Sequence, residues 1–324
     1  MNEMNAARAL VSIVKEICTA HDIRISSFSD DWVFCLQKGG RTTYIMGYDF
    51  GLNSATAKMI CKDKTATSDL LAFHSVPHIE HKIFHSPQLA AYVPIEGNWR
   101  AMLAYFEQHK RNVVCKPNEG TGGRGVYRVR TPFELESAVL QVLSKSRSLC
   151  LSPFENILGE YRVLVLEGHV HLVYLKKRAR LVGDGFSNIQ QLLIKRMAEF
   201  PMSRDDMGDW QTIMEMEADL SRKPASGEEV PINWRHNLGQ GAEAQLIDEC
   251  DTTYKPITTL ALMAANVLGI ALASVDVVST HQGLRVLEIN SGIMMESLTR
   301  CLPDGRNLAY RFYEKIICSA LDLK

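Results

Sequence analysis

"NVVCKPNEGTGGRGVYRVR", residues 112–130, is the stretch on which the reading of the chain turns. Gly120, Gly122 and Gly125 fall at G-x-G-x-x-G spacing, and Lys116 stands just upstream. A dinucleotide-binding turn of that spacing runs into a helix, whose N-terminus meets the pyrophosphate. Here the glycines run into Val126-Tyr127-Arg128-Val129-Arg130, an alternation that predicts a strand. The acidic residue such a turn needs further on is ill placed too, since Glu134 and Glu136 fall in the next helical pattern. A P-loop also fails, because its lysine follows the last glycine, whereas Lys116 precedes them all. What remains is a hairpin: a strand carrying a lysine, a glycine-rich loop, and a second strand. Four glycines in the six residues "GTGGRG" exceed what a plain hairpin needs. Such a loop can fold backbone N–H groups down over phosphate oxygens, and Lys116 supplies a point charge.

Working outward, residues 4–21 carry apolar positions at helical spacing (Leu10, Val11, Val14, Ile17). "IRISSF", "DWVFCLQ" and "TTYIMGYD" predict three short strands. Asn53 or Ser54 caps a helix through Ile60, and residues 65–73 form a second helix closed by "HSVPH". Residues 98–110 are helical. Thr131, Pro132 and Glu134 open a helix with a capping box. "YRVLVLEGHVHLVYLKKRAR" predicts a hairpin around Glu167-Gly168, and "SNIQQLLIKRMAEF" an amphipathic helix. Residues 201–228 are polar, weakly patterned and read as an insertion. A helix ended by Gly269 precedes the strand pair "IALASVDVVS" and "GLRVLEINS", and a last helix spans residues 307–321. This mixture of strands and helices with several hairpins gives an α/β (α+β) class rather than a doubly wound sheet.

The 324 residues suffice for two or three subdomains. A net charge of −1 gives no large single-sign field, which argues against nucleic-acid and anionic-membrane partners. No apolar run is long enough to span a bilayer, and the first residues lack the basic start and apolar block of a signal peptide. Eight scattered cysteines without a C-x-x-C pair fit reduced thiols, hence a cytoplasmic location. His74, His78, His81 and His85 lie at spacings that suggest a metal helix, but Pro77 interrupts them, so they are read as structural or surface groups.

"VVCKPNEGTGGRGV" resembles the flap of ATP-grasp ligases. "NSATAKMICKDKTATSDLLAFHSVPHI" looks like the segment that carries the first nucleotide lysine, here Lys64. "GEYRVLVLEGHVHLVYLKKRARLVGDGFSNIQQLL" and "GEEVPINWRHNLGQGAEAQLID" are similar to the ATP-grasp domain of cyanophycin synthetases and to glutathione-synthase-like ligases. "ASVDVV" and "RVLEINSG" close the resemblance, which covers roughly residues 53–300. It implies an ATP-grasp fold with nucleotide held between two lobes: a small N-terminal lobe (1–55), a central lobe with the flap (56–148), and a C-terminal lobe with a magnesium site (149–324).

The chemistry implied is activation of a carboxylate by ATP to an acylphosphate, which an amine then displaces. Catalysis of this kind is positioning and charge neutralisation. The cofactors are ATP and Mg2+. The partners are a small-molecule carboxylate and an amine, of amino-acid or peptide type, and the N-terminal lobe is available for substrate binding or a homodimer. The resemblance places Lys64, Lys116, Glu119, Gly120, Gly122, Gly123 and Gly125 on ATP. It assigns the metal to Asp276, Glu288 and Asn290, whose oxygens suit magnesium, with Glu288 and Asn290 two apart on a strand. Arg162, Lys176, Arg235 and Asn237 are the catalytic candidates, with Arg178 or Arg180 beside them, and Gly239 and Gly241 supply further donors. Lysine at 176 stands where the family commonly has arginine, which changes the reach toward a carboxylate. The hinge departs further: Ser152 and Pro153 stand where acids are expected, so Glu155 or Glu160 takes the nucleoside contact. That departure keeps two alternatives in view, a non-catalytic or regulatory nucleotide-binding module and an ATP-grasp kinase.

Overall fold

The structure is a computed structural model that describes residues 8–86, 89, 99–120, 122–199, 219–231, 234–240 and 242–323. The chain divides into two compact units, residues 1–175 with 246–324, and residues 176–245.

In the larger unit, helix α1 (Ala9–Ala20) buries Leu10, Val11, Ile13, Val14, Ile17 and Cys18. It is followed by an antiparallel meander of β1 (Arg24–Phe28), β2 (Val33–Lys38) and β3 (Arg41–Met46). Ser54 caps α2 (Ala55–Lys62) by accepting from Ala57 N, as expected. The next helix, α3, begins at Lys64 and runs to Phe73, with Asp63 as its cap. A capping aspartate directly before Lys64 fixes the lysine at the helix's first turn.

A four-stranded sheet contains β4 (Lys82–His85), β5 (Val113–Pro117), β6 (Tyr127–Val129) and β7 (Ser148–Pro153), in the order β4-β7-β5-β6. The strand expected after the glycines is β6, and it pairs antiparallel with β5 through Val113↔Val129 and Cys115↔Tyr127. Helices α4 (Trp99–Gln108) and α5 (Pro132–Leu143) cover one face, packing Met102, Phe106, Leu135 and Val139 on Val113, Cys115, Leu149 and Leu151. The predicted capping box of α5 forms between Thr131 and Glu134. Because Val113 and Cys115 fill this core, Lys116 lies on the opposite face.

A third sheet of this unit carries, in order, β9 (His169–Lys177), β8 (Gly159–Leu166), β13 (Leu272–Thr280) and β14 (Gly283–Asn290). The last residues of β9 carry the chain out of the unit. Glu167 and Gly168, both at positive φ, turn β8 into β9. One face packs Val163, Val165, Val275, Val277, Val286 and Ile289 on α7 (Tyr254–Val267). Burying side chains of this size contributes about 1.5–3 kcal/mol each. Gly269, at φ +59°, ends the α7 segment as the sequence implied. Asn53 ties the start of α2 to this sheet: its Oδ1 accepts from Ala271 N at 3.0 Å and Leu272 N at 2.9 Å, and its Nδ2 donates to Leu272 O at 2.7 Å. The unit ends in a short helix the sequence reading lacked, α8 (Glu296–Cys301), and in α9 (Gly305–Ala320).

The smaller unit contains β10 (Arg180–Val182) paired with β11 (Glu229–Pro231), the helix α6 (Ile189–Glu199) and β12 (Glu243–Leu246), which leads out of it. Its core is Ala179, Leu181, Ile189, Leu192, Leu193 and Val230. Most of the insertion expected at 201–228 lies outside the described residues.

Candidate active site

Register alone assembles the acidic part of the site. Asp276 on β13 pairs with Arg162 on β8 and with Glu288 on β14. Directly opposed residues share a face, so three functional side chains stand side by side across three strands. Asn290, opposite Ser274, follows two residues along on the same face. A bulge makes this arrangement work. Val286 opposes Val277 while Glu288 opposes Asp276, so Leu287 is an extra residue on β14. Strict alternation would put Val286 and Glu288 on one face. The extra residue sends Val286 into the α7 core and turns Glu288 to the polar face.

Arg162 grips Asp276 with both prongs, Nε donating to Oδ1 at 2.8 Å and a terminal nitrogen to Oδ2 at 2.7 Å. Asp276 is 4% exposed. Burial opposes the charge on Arg162, but Asp276, Tyr174 and Glu160 together outweigh burial, and the guanidinium is held well above its ordinary pKa. Arg162 and Asp276, assigned separately to catalysis and to metal binding, are therefore one ion pair. Each ionised carboxylate oxygen has a second acceptor position. The oxygen donors of Asp276, Glu288 and Asn290 suit a hard divalent cation.

The cationic part comes from two elements. Lys116 on β5 sits opposite Cys150 on β7, and both are buried. Lys64 at the start of α3 is buried as well. Burial lowers the pKa of the Lys116 ammonium. The nearby Lys64 charge acts in the same direction, while Cys150, Glu288 and Glu160 act against it. Burial also pushes the Cys150 thiol up to about 11, against the pull of both lysines. The lysines on one side and Glu288 and Glu160 on the other are thus close enough to feel one another.

The flap is stitched to this pair. Lys64 N donates to Asn118 O at 3.1 Å, and Lys64 Nζ donates to Gly120 O at 2.8 Å. Glu119 bridges to Asp63 and pairs with Lys62 at 2.9 Å. Asn118, 1% exposed, accepts from both Thr65 N and Thr65 Oγ1. Gly122, Gly123 and Gly125 hold φ of +75°, +73° and +67°. These left-handed values are why the loop needs glycine there. The sequence reading did not single out Asn118; a buried asparagine after "KP" gave no periodic signal.

The remaining candidates are placed differently. Glu155 faces Arg285 at 3.8 Å, and Glu160 is buried on the same strand as Arg162. Lys176, Arg235 and Asn237 belong to the smaller unit. There Arg178 Nε donates to His236 Nε2 at 3.3 Å. Burial, then Arg178 and Lys176, push the imidazole of His236 down to about 3. Arg235 lies over the Trp234 ring at 5.0 Å. Gly239 was expected to offer its N–H to a ligand, but Asn237 Oδ1 accepts it at 2.9 Å. That is a correction: the asparagine closes its own turn. Gly241 lies outside the described residues. Asp184 takes Phe186 N and Ser187 N at 2.9 and 2.7 Å, but the cap of α6 is Asn188, which accepts from Gln191 N at 2.8 Å.

Among the described residues no helix is long and apolar enough to cross a membrane. No group of three or more His, Cys, Asp and Glu poised for a metal occurs among them.

The fold is that of the ATP-grasp ligases, as the likeness to solved structures shows. The bifunctional glutathione synthetase of Pasteurella multocida superposes with a TM-score of 0.54 at 17% identity, over 95% of this chain and 43% of that one. The D-alanine–D-alanine ligase of Bacillus anthracis complexed with ATP gives 0.50 at 13% identity, over 83% of this chain and 67% of that one. In sequence the chain is similar to the cyanophycin synthetase of Trichormus variabilis, 26% identical over 196 residues, which are 57% of this chain. The matched region spans only 21% of that relative's length. No family model matches the chain.

Proposed function

We propose that the protein is an ATP-dependent carboxylate–amine ligase that forms an amide or peptide bond through an acylphosphate, with amino acids or peptides as substrates. The observation that carries the reading is the facing arrangement of charge in the larger unit. Lys64 and Lys116 are buried beside each other, and Glu288 lies close enough to act on Lys116. Two adjacent buried ammonium groups repel, and a polyphosphate relieves that repulsion. Glu288, Asn290 and Asp276 would hold Mg2+, which would neutralise charge on the transferred phosphoryl group. The glycine hairpin closes from the side of Lys64. Arg162 fixes the Asp276 carboxylate and would keep its orientation when the metal binds. Lys176 and Arg235 are the candidates for gripping the carboxylate substrate and the acylphosphate. The relatives named above support the ligase reading, since they too are synthetases or ligases.

The three-lobe division at residues 55 and 148 remains part of this reading, with nucleotide between the central and C-terminal lobes. A cytoplasmic location and, for the N-terminal lobe, a role in substrate binding or in a homodimer complete it.

The test is ADP formation against a panel of amino acids and dipeptides, with product masses. The reading requires ADP release that depends on both a carboxylate and an amine, and a product lighter than their sum by one water. ADP release with a stable phosphoester and no need of amine would make the protein a kinase. Nucleotide binding without any turnover would make it a binding module.

A further inference from the structure

His81 is 4% exposed and stands where the elements of the site meet. Its segment leaves the β14 edge, where Ile79 N donates to Val286 O at 2.9 Å, and enters β4, whose Lys82 pairs with Leu151 on β7. Its own backbone N donates to Ser68 Oγ on α3 at 3.1 Å. The residue is therefore anchored to the helix that begins with Lys64, to the strand that bears Glu288, and to the sheet that bears Lys116. A small cavity lined by Lys64, Ser68, His78, His81 and Glu288 opens beside it.

The ring is oriented by chemistry. Its Nε2 is buried and, among the described residues, has no hydrogen-bond partner. The charges it feels most are those of the Lys116 and Lys64 ammonium groups, which only donate, so the nitrogen that meets one must carry the lone pair, with the ring proton on Nδ1. Burial holds the imidazole neutral, and the Lys116 and Lys64 charges reinforce this. A buried acceptor with nothing to accept is costly unless a donor reaches it in another state of the protein. The donors at hand are the two ammonium groups.

We propose that His81 is a positioning residue for the lysine pair, its Nε2 accepting one ammonium N–H in the nucleotide-bound protein so that the remaining N–H groups of that lysine point at phosphate. This rests on the nucleotide-site reading given above. The lone pair costs no charge, unlike a carboxylate there, which would neutralise the lysine and weaken its hold on phosphate. The glycine hairpin already supplies one such neutral acceptor to Lys64, Gly120 O at 2.8 Å, and Nε2 would be a second for the pair.

The experiment compares Mg-ATP affinity, by calorimetry on the full chain, for the wild type, His81→Leu and His81→Gln, with circular dichroism as the fold control. Glutamine places an amide oxygen near the Nε2 position, and leucine places none. The expected result is affinity about tenfold weaker for leucine and within about threefold of wild type for glutamine. Equal loss in both variants, or none in the leucine variant, overturns the proposal. Absence of Mg-ATP binding by the wild type overturns the nucleotide-site reading itself, and this inference with it. Should the leucine variant fail to fold, nitrogen NMR of the wild-type histidines decides: Nε2 of His81 must show a hydrogen-bond shift on adding Mg-ATP, and an unchanged resonance overturns the proposal.

Discussion

Replacing Arg162 by methionine removes a two-pronged partner of a carboxylate that is 4% exposed. The methionine fills much of the volume, so the packing loss is small and the electrostatic loss dominates. Breaking a buried pair from one side costs about 3–5 kcal/mol, because the remaining charge is uncompensated. The Arg162 side chain is itself 23% exposed, so water reaches part of the pair. That puts Arg162→Met near the lower end, about 3 kcal/mol. Asp276→Asn leaves the guanidinium able to turn toward solvent and costs about 1–2 kcal/mol. The double variant removes both charges and leaves neither stranded, so its cost stays near 2 kcal/mol rather than the sum. Urea unfolding followed by circular dichroism measures the three changes. Additivity within about 0.5 kcal/mol would refute the claim that the two side chains act as one pair.

Asn53→Ala removes three hydrogen bonds that tie the start of α2 to residues 271 and 272 at the head of β13, stranding Ala271 N, Leu272 N and Leu272 O. The expected loss is about 2–4 kcal/mol by urea unfolding, against a negligible change for exposed Asn307→Ala. Gly305→Ala places a Cβ 2.2 Å from Leu298 O, where α8 and α9 approach. It should cost at least about 2 kcal/mol and lower the thermal midpoint; an unchanged midpoint would contradict the close approach. His236, whose imidazole is pushed down to about 3, binds its proton in the unfolded chain first. Its contribution is therefore present above its unfolded pKa, about 6.5, and is lost as pH falls toward the folded value, at about 1.4 kcal/mol per pH unit. His236→Gln should flatten the acid limb of stability against pH; an unchanged limb would remove that assignment.

The hairpin at 112–130 was legible because residues 126–130 alternate, and alternation does not depend on what lies across the fold. The capping box at Thr131 and the turn at Glu167-Gly168 were legible for the same local reason. The bulge at Leu287 was not. "RVLEIN" reads as one regular strand, and only its pairing with β13 shows that Val286 and Glu288 face opposite ways. The same limit hid Asn53, whose partners lie more than two hundred residues away. Lys64 and Lys116 could be singled out individually, but their joint burial depends on α3 folding back onto the root of the flap through Asn118. Histidine spacing carries no information about which of the four rings is buried within reach of the lysine charges, so His81 was not legible.

In the proposed reaction a carboxylate is activated by phosphorylation before the amine attacks. Labelling the carboxylate substrate with heavy oxygen tests it directly. An acylphosphate broken by an amine leaves one carboxylate oxygen on the phosphate, so the expected result is inorganic phosphate carrying one heavy oxygen for each amide formed, and neither labelled phosphate nor amide when Glu288 is replaced by glutamine. Amide formation with unlabelled phosphate would contradict the acylphosphate route, and full turnover by Glu288→Gln would contradict the site.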